Sequence, residues 1–204
     1  MTTSRPVPDP WLQPWLPLLW QHAGPRPVLE LGCGAGEDTA TLVAAGLKVQ
    51  AIDLSAESLA RARMRVPGAH LVCQDVRRPW PDEDQPRGVV VASLSLHYFA
   101  WDETLALVAR IRDALVPGGL LLCRLNSTED HHFGASGHPA IAPHYYLVDG
   151  QPKRFFDRAD VEALFAHGWR HESVSHQLTG KYGPPKALWE LVLTRADAAA
   201  KALR

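Results

Sequence analysis

No apolar run in this 204-residue chain approaches the roughly 20 residues that a membrane-spanning helix needs. Met1 to Asp9 lacks the apolar core of a secretory signal, so the sequence reads as that of a cytoplasmic protein with no membrane partner. Cysteine is scarce. Cys33, Cys73 and Cys123 are odd in number and far apart, which excludes a disulfide framework and a C-x-x-C pair. Neither sign of charge is in surplus, with 21 basic against 22 acidic residues, so there is no global field to draw in nucleic acid. Arg61, Arg63 and Arg65 lie close in sequence, but alternate residues do not share a helix face and suit a solvated surface. Repeats and a second core are also lacking, so residues 1–204 read as one domain.

What is present centres on Val28-Leu-Glu-Leu-Gly-Cys-Gly-Ala-Gly-Glu-Asp-Thr39, an apolar run, three alternating glycines and a helix start. Glycine serves where backbone passes close to a ligand, because no Cβ intervenes. Gly32-x-Gly34-x-Gly36 is not the G-x-G-x-x-G dinucleotide fingerprint, since Glu37 stands where its third glycine belongs. With Asp38 beside it, that carboxylate faces a pyrophosphate badly at a helix N-terminus. A nicotinamide oxidoreductase is disfavoured accordingly, and the missing G-K-[ST] excludes a P-loop.

Around this stretch the pattern predicts an α/β chain. Strands are expected at 28–31, 48–52 (alternating), 70–73, 88–92 and 120–125, with helices after the first two and the fourth. Ser55, Asp102 and Asp157 are the expected N-caps, and Pro117-Gly118-Gly119 an expected turn between a helix reaching Leu115 and the fifth strand. Asn126 to Gly150 reads as a long irregular loop, and residues 126–156 as an insertion near the site. The last strands, 171–178 and 188–193, have no helix between them and should form an antiparallel hairpin at one edge. Residues 1–24 form a proline-punctuated arm and short helical turns, either covering the core or acting as a lid whose tryptophans wall a pocket.

Glu30-Leu-Gly-Cys-Gly-Ala-Gly36 resembles motif I of the class I S-adenosylmethionine-dependent methyltransferases, and the resemblance extends over nearly the whole chain. It implies a Rossmann-like, doubly wound, seven-stranded and mostly parallel sheet with an antiparallel C-terminal hairpin, and S-adenosyl-L-methionine as cofactor. On this resemblance Glu30, Gly32, Cys33, Gly34 and Gly36 surround the methionine end. Asp53, with Leu54, takes the ribose, because a carboxylate can accept from both hydroxyls. Asp75 and Val76 meet the adenine, and Ser93 and Leu94 line the cofactor after strand four. Length and layout are similar to small tellurite- and thiopurine-resistance methyltransferases, and this is fold-level analogy.

For the acceptor, the chain lacks the Asn/Asp-Pro-Pro-Tyr/Phe tetrad and the Pro-Cys pair that nucleic-acid enzymes of this class carry after strand four. A small-molecule acceptor is expected, with no nucleic acid. His97 and Tyr98 fall near the expected methyl position. His97 is either a proton acceptor or a loop-packing residue. Arg124 and Asn126 end the fifth strand and could bind an acidic group or simply hold the loop, and Trp11, Trp15, Tyr145 and Tyr146 could shape the pocket. His131, His132, His138 and His144 match no zinc spacing, so no metal is expected. A non-catalytic cofactor-binding subunit is the alternative reading.

Overall fold

The computed structural model describes residues 10–196; most of the expected arm and the Ala-rich tail lie outside the described residues. In chain order the elements are α1 (Leu16–Ala23), β1 (Val28–Leu31), α2 (Glu37–Ala44), β2 (Val49–Asp53), α3 (Ala56–Arg65), β3 (His70–Cys73), β4 (Arg87–Ser93), α4 (Trp101–Ala114), β5 (Leu115–Asn126), β6 (Ala140–Ala142), β7 (Tyr145–Val148), β8 (Gln151–Arg154), α5 (Arg158–Leu164), β9 (Trp169–Thr179) and β10 (Lys186–Arg195). Seven strands form one sheet in the order β3-β2-β1-β4-β5-β10-β9. The first five are parallel, and β10 and β9 are antiparallel, as expected of the last two strands.

Alternation along the buried strands divides the core into two clusters. Leu29 and Leu31 of β1, Val90 and Ala92 of β4, and Leu121, Cys123 and Leu125 of β5 pack with Leu107 and Ile111 of α4 and Val161 and Leu164 of α5. Val28, Val49, Ala51, Val89, Val91, Leu120 and Leu122 pack instead with Leu19 of α1, Leu42 of α2 and Leu59 of α3. A period of two serves both faces because helices cover each of them. Ser55 caps α3 as expected, its Oγ accepting from the Ser58 N–H at 3.1 Å. The Asp157 carboxylate likewise accepts from the Asp160 N–H at 2.7 Å at the start of α5.

Several expectations are corrected. β2 does not alternate in burial, because it lies between β1 and β3 and is covered on both faces. Its one long polar residue, Gln50, is buried with its side-chain oxygen accepting from Arg87 Nη2 at 2.7 Å. α4 begins at Trp101 after Ala100, so Asp102 lies inside it; Glu103 reaches back to accept from the Ala100 N–H at 3.3 Å. Leu115 and the Pro117–Gly119 stretch belong to β5, absorbed as a bulge where pairing shifts from Arg87↔Leu115 to Val89↔Leu120. β9 and β10 each run longer than expected.

The largest correction concerns 126–150. Residues 140–154 build a second, three-stranded antiparallel sheet, β6-β7-β8. β7 and β8 pair with Val148 opposite Gln151, leaving Asp149-Gly150 as a two-residue turn with φ of +51° and +77°. Asp-Gly with both φ positive is the type I′ hairpin signature, and the twist of that turn matches the twist of the strands. Tyr145-Tyr-Leu-Val148 before it is a strand-forming run, so the signal was present in the sequence.

Candidate active site

The carboxyl ends of β1, β2, β4 and β5 converge on the glycine stretch, where an open parallel sheet presents its ligand crevice. Two of the three glycines have distinct physical reasons. A Cβ on Gly32, at φ +76°, would stand 2.4 Å from the Ser95 Cβ, so Gly32 lets the loop after β4 close onto the loop after β1. A Cβ on Gly34, at φ +53°, would meet nothing within 4 Å. Gly34 therefore faces space that a ligand can fill. Gly36 is the N-cap of α2.

Asp53, ending β2, ties this loop to the next helix. Its Oδ2 accepts from the Gly34 N–H at 2.7 Å and its Oδ1 from the Ser55 N–H at 2.8 Å. A carboxylate has about four lone-pair sites, so two are left for a ligand's hydroxyl groups. Leu54 beside it is an exposed apolar side chain. Asp75, beyond β3, is held by Arg77, whose Nη2 donates to its Oδ2 at 2.6 Å, and this pairing lowers the carboxyl pKa. Val76 is buried below it.

Glu30 is buried in the middle of the sheet, its Oε2 accepting from Thr39 Oγ1 at 2.6 Å. Burial, with the neighbouring Asp38 charge, pushes its pKa up to about 8. Asp38 is raised too, by burial, against the opposing hydrogen bond from Trp11 Nε1 at 3.0 Å. The Arg124 and Lys181 charges act in the opposite direction on Asp38. Burial also raises the Cys33 thiol, leaving it a small apolar filler.

The elevated Glu30 pKa has a measurable consequence. Folded Glu30 binds its proton more tightly than the unfolded chain does, so its stabilising contribution is complete below about pH 4.5 and is lost as pH rises towards 8. Between pH 5 and 8 the thermal midpoint of Glu30→Gln should rise relative to that of the parent. A constant difference across that window would show that Glu30 is not titrating there.

A cavity of about 300 Å³ opens at the carboxyl ends of β4 and β5, lined by Leu94, His97, Tyr98, Asn126, Phe133, Lys153, Tyr182 and Lys186. Leu94 enters it from the β4 loop at φ +52°, a strained value for a side chain of its size. Ser93 precedes it at the end of β4. His97 is 4% exposed and its Nδ1 has no hydrogen-bond partner among the described residues. Burial and the charges of Lys186 and Lys153 pull its pKa down to about 3, so the ring is neutral at physiological pH and a weak proton acceptor. Tyr98 is 45% exposed and stacks tilted on His97 at 4.1 Å.

Of the six residues expected at the acceptor, Asn126 lines this cavity, buried, with its Oδ1 unpartnered among the described residues. The other five sit elsewhere. Trp11 bonds Asp38, and its ring lies 5.0 Å from the Arg124 guanidinium. Arg124 is buried in β5, with Nε 3.5 Å from Glu190. Trp15 packs against the α1–α3 side of the core. Tyr145 donates to the Tyr98 carbonyl at 3.2 Å, and Tyr146 packs on Phe155 at 6.0 Å. Phe133, Lys153, Tyr182 and Lys186 line the cavity without having stood out in the sequence. They come from a short helical turn, β8, the β9–β10 loop and the start of β10, and no local pattern links them.

Residues 28–119 match the family model described as a methyltransferase domain. The chain is 35% identical over 109 residues to a trans-aconitate 2-methyltransferase of Paracidovorax citrulli, covering 52% of this chain and 41% of that protein. It is 34% identical over 127 residues to a carboxy-S-adenosyl-L-methionine synthase of Pseudomonas fluorescens, covering 54% and 51%. The aligned region thus spans about half the length of these relatives or less. An S-adenosylmethionine-dependent methyltransferase structure from Methanosarcina mazei superposes with a TM-score of 0.72 at 14% identity, covering 83% of this chain and 92% of that one, which is a likeness of fold. No described helix is long and apolar enough to cross a membrane. Residues 28–119 are thus similar to a methyltransferase domain, and the sheet that contains them has the fold of the Methanosarcina mazei structure.

Proposed function

We propose that the protein transfers a methyl group from S-adenosyl-L-methionine to a small-molecule acceptor held in the Leu94–Lys186 cavity. The observation that carries this is the nearness of two sites. Asp53, bonded to the Gly34 N–H, lies close enough for its charge to act on Tyr98, and Tyr98 lines a separate polar cavity. In this reading Gly32, Gly34 and Glu30 hold the methionine end, Asp53 the ribose, and Asp75 with Val76 the adenine. When bound, the cofactor supplies a methyl carbon already activated by a positive sulfur. The protein's part is then to position and desolvate, and bringing reactants together can account for roughly 7–11 kcal/mol of a barrier.

The cavity volume suits a small molecule rather than a nucleic acid. The relatives named above are small-molecule enzymes by their names, which supports the same class here. The tellurite- and thiopurine-resistance likeness rests on layout alone and assigns no acceptor. A non-catalytic binding subunit has no need of a second polar cavity beside the cofactor space. The test is calorimetric titration of S-adenosylhomocysteine into the folded protein. Micromolar binding is expected, and its absence would falsify the assignment.

His97 contacts the acceptor in this reading, as a neutral hydrogen-bonding group and not as a base. His97→Ala should lower turnover about 10-fold, the order of one lost hydrogen bond, with S-adenosylhomocysteine affinity within a few-fold of the parent. His97→Asn, which keeps a polar group, should recover part of the loss. A turnover limb titrating near pH 6.5 that vanishes in His97→Ala would instead make His97 a base.

A further inference from the structure

The acceptor cavity is rich in hydrogen-bond donors and has no Asp or Glu among its lining residues. Lys186 is paired with the buried Asp130, Nζ to Oδ2 at 2.6 Å, and Asp130 also accepts from the Ala187 N–H at 3.3 Å. That carboxylate is occupied in holding the start of β10. Lys153, half-buried on β8, makes no ion pair or hydrogen bond with any described residue, so the cavity holds one uncompensated positive charge. Asn126 and His97 each bring a buried polar atom without a partner among the described residues, and buried polar groups are rarely left so. A neutral acceptor leaves the Lys153 charge uncompensated. An ionised acid compensates it and can accept from an imidazole N–H of His97 as well.

From the Lys153 charge, the unpartnered His97 ring nitrogen and the absence of a lining carboxylate we infer that the acceptor is a small organic acid, recognised through a carboxylate by Lys153, and that a carboxylate oxygen takes the methyl group. This rests on the methyltransferase reading above. In the step, a carboxylate oxygen attacks the sulfonium methyl carbon. The new O–C bond forms as the C–S bond breaks, and its electron pair goes to sulfur. One anion and one cation become a neutral ester and a neutral thioether, and no proton is released. The nucleophile is ionised before it binds, so the step needs no base. That agrees with a cavity whose one histidine is held neutral by burial and by nearby lysines.

The experiment uses the full chain saturated with S-adenosylhomocysteine, titrated with glutarate, tricarballylate and benzoate and with the corresponding amides. At least one acid should bind 10-fold or more tightly than its amide. Lys153→Met should erase that preference by weakening the acid and not the amide, and Lys153→Arg should restore most of it. With methyl-labelled S-adenosylmethionine, the product formed from the preferred acid should release labelled methanol in mild alkali, as a methyl ester does. If S-adenosylhomocysteine binds but acids bind no better than amides, or Lys153→Met keeps the preference, or the label is stable to alkali, the inference is overturned. If S-adenosylhomocysteine itself does not bind, the methyltransferase reading falls first, and this inference with it.

Discussion

Asp53→Ala is expected to weaken S-adenosylhomocysteine binding by 100-fold or more in a calorimetric titration. The carboxylate makes two backbone hydrogen bonds, to the N–H groups of Gly34 and Ser55, and so fixes the glycine loop against the start of α3. The two remaining lone-pair sites are those available to ribose hydroxyls. Hydrogen bonds to a charged group contribute about 1.5–3 kcal/mol each, and 1.4 kcal/mol is a factor of 10, so losing the two ligand bonds alone gives that magnitude. Asp53→Asn keeps one acceptor oxygen and should fall between. Affinity unchanged in Asp53→Ala would mean that the ribose lies elsewhere.

The second large effect is on folding. Gly32→Ala places a methyl group 2.4 Å from the Ser95 Cβ at a φ of +76°. Left-handed backbone costs a side-chain-bearing residue about 1–2 kcal/mol, and overpacking a tight site about 1–3 kcal/mol. A loss of about 2–5 kcal/mol in urea unfolding follows. Gly34→Ala carries the backbone cost but not the clash, since nothing stands within 4 Å of its added Cβ. It should lose only about 1–2 kcal/mol of stability while its cofactor affinity drops, because the methyl group occupies the ligand's space. Replacing Ser95 with Gly in the Gly32→Ala background should return the clash component. Equal destabilisation at the two glycines would refute this division of roles.

The residues proposed for the methyl donor could be singled out in the sequence because they are local. An apolar run, a glycine turn and a helix start lie within twelve residues, and Asp53 and Asp75 each follow a recognisable strand. The cavity proposed for the acceptor could not be, for two physical reasons. Its lining residues come together only through the packing of segments up to about ninety residues apart, and no periodicity records that. The aromatic residues that stood out in 126–150 were strand residues of the small sheet, and their bulk packs inward or on neighbours and leaves the cavity to Lys153. His97 shows the limit of residue type as a guide. Its position by the cavity was readable, but its low basicity comes from burial and from two lysines distant in sequence.

The two halves also differ in where they lie along the chain. Residues 28–119 carry the glycine loop, Asp53, Asp75, Leu94 and His97, whereas Asn126, Phe133, Lys153, Tyr182 and Lys186 all come after. Lys153 sits on a hairpin closed by Asp149-Gly150, outside the main sheet, and Tyr182 on the surface loop that joins β9 to β10. Selection for a new acceptor can therefore act on two short peripheral segments, with the pairing of Lys181 to Glu37 as the contact to be kept between the β9–β10 loop and the glycine loop. The same division gives an engineer a place to graft: the β7–β8 hairpin and the β9–β10 loop can be varied at their exposed positions while buried Tyr145, Val148 and Arg154 are kept.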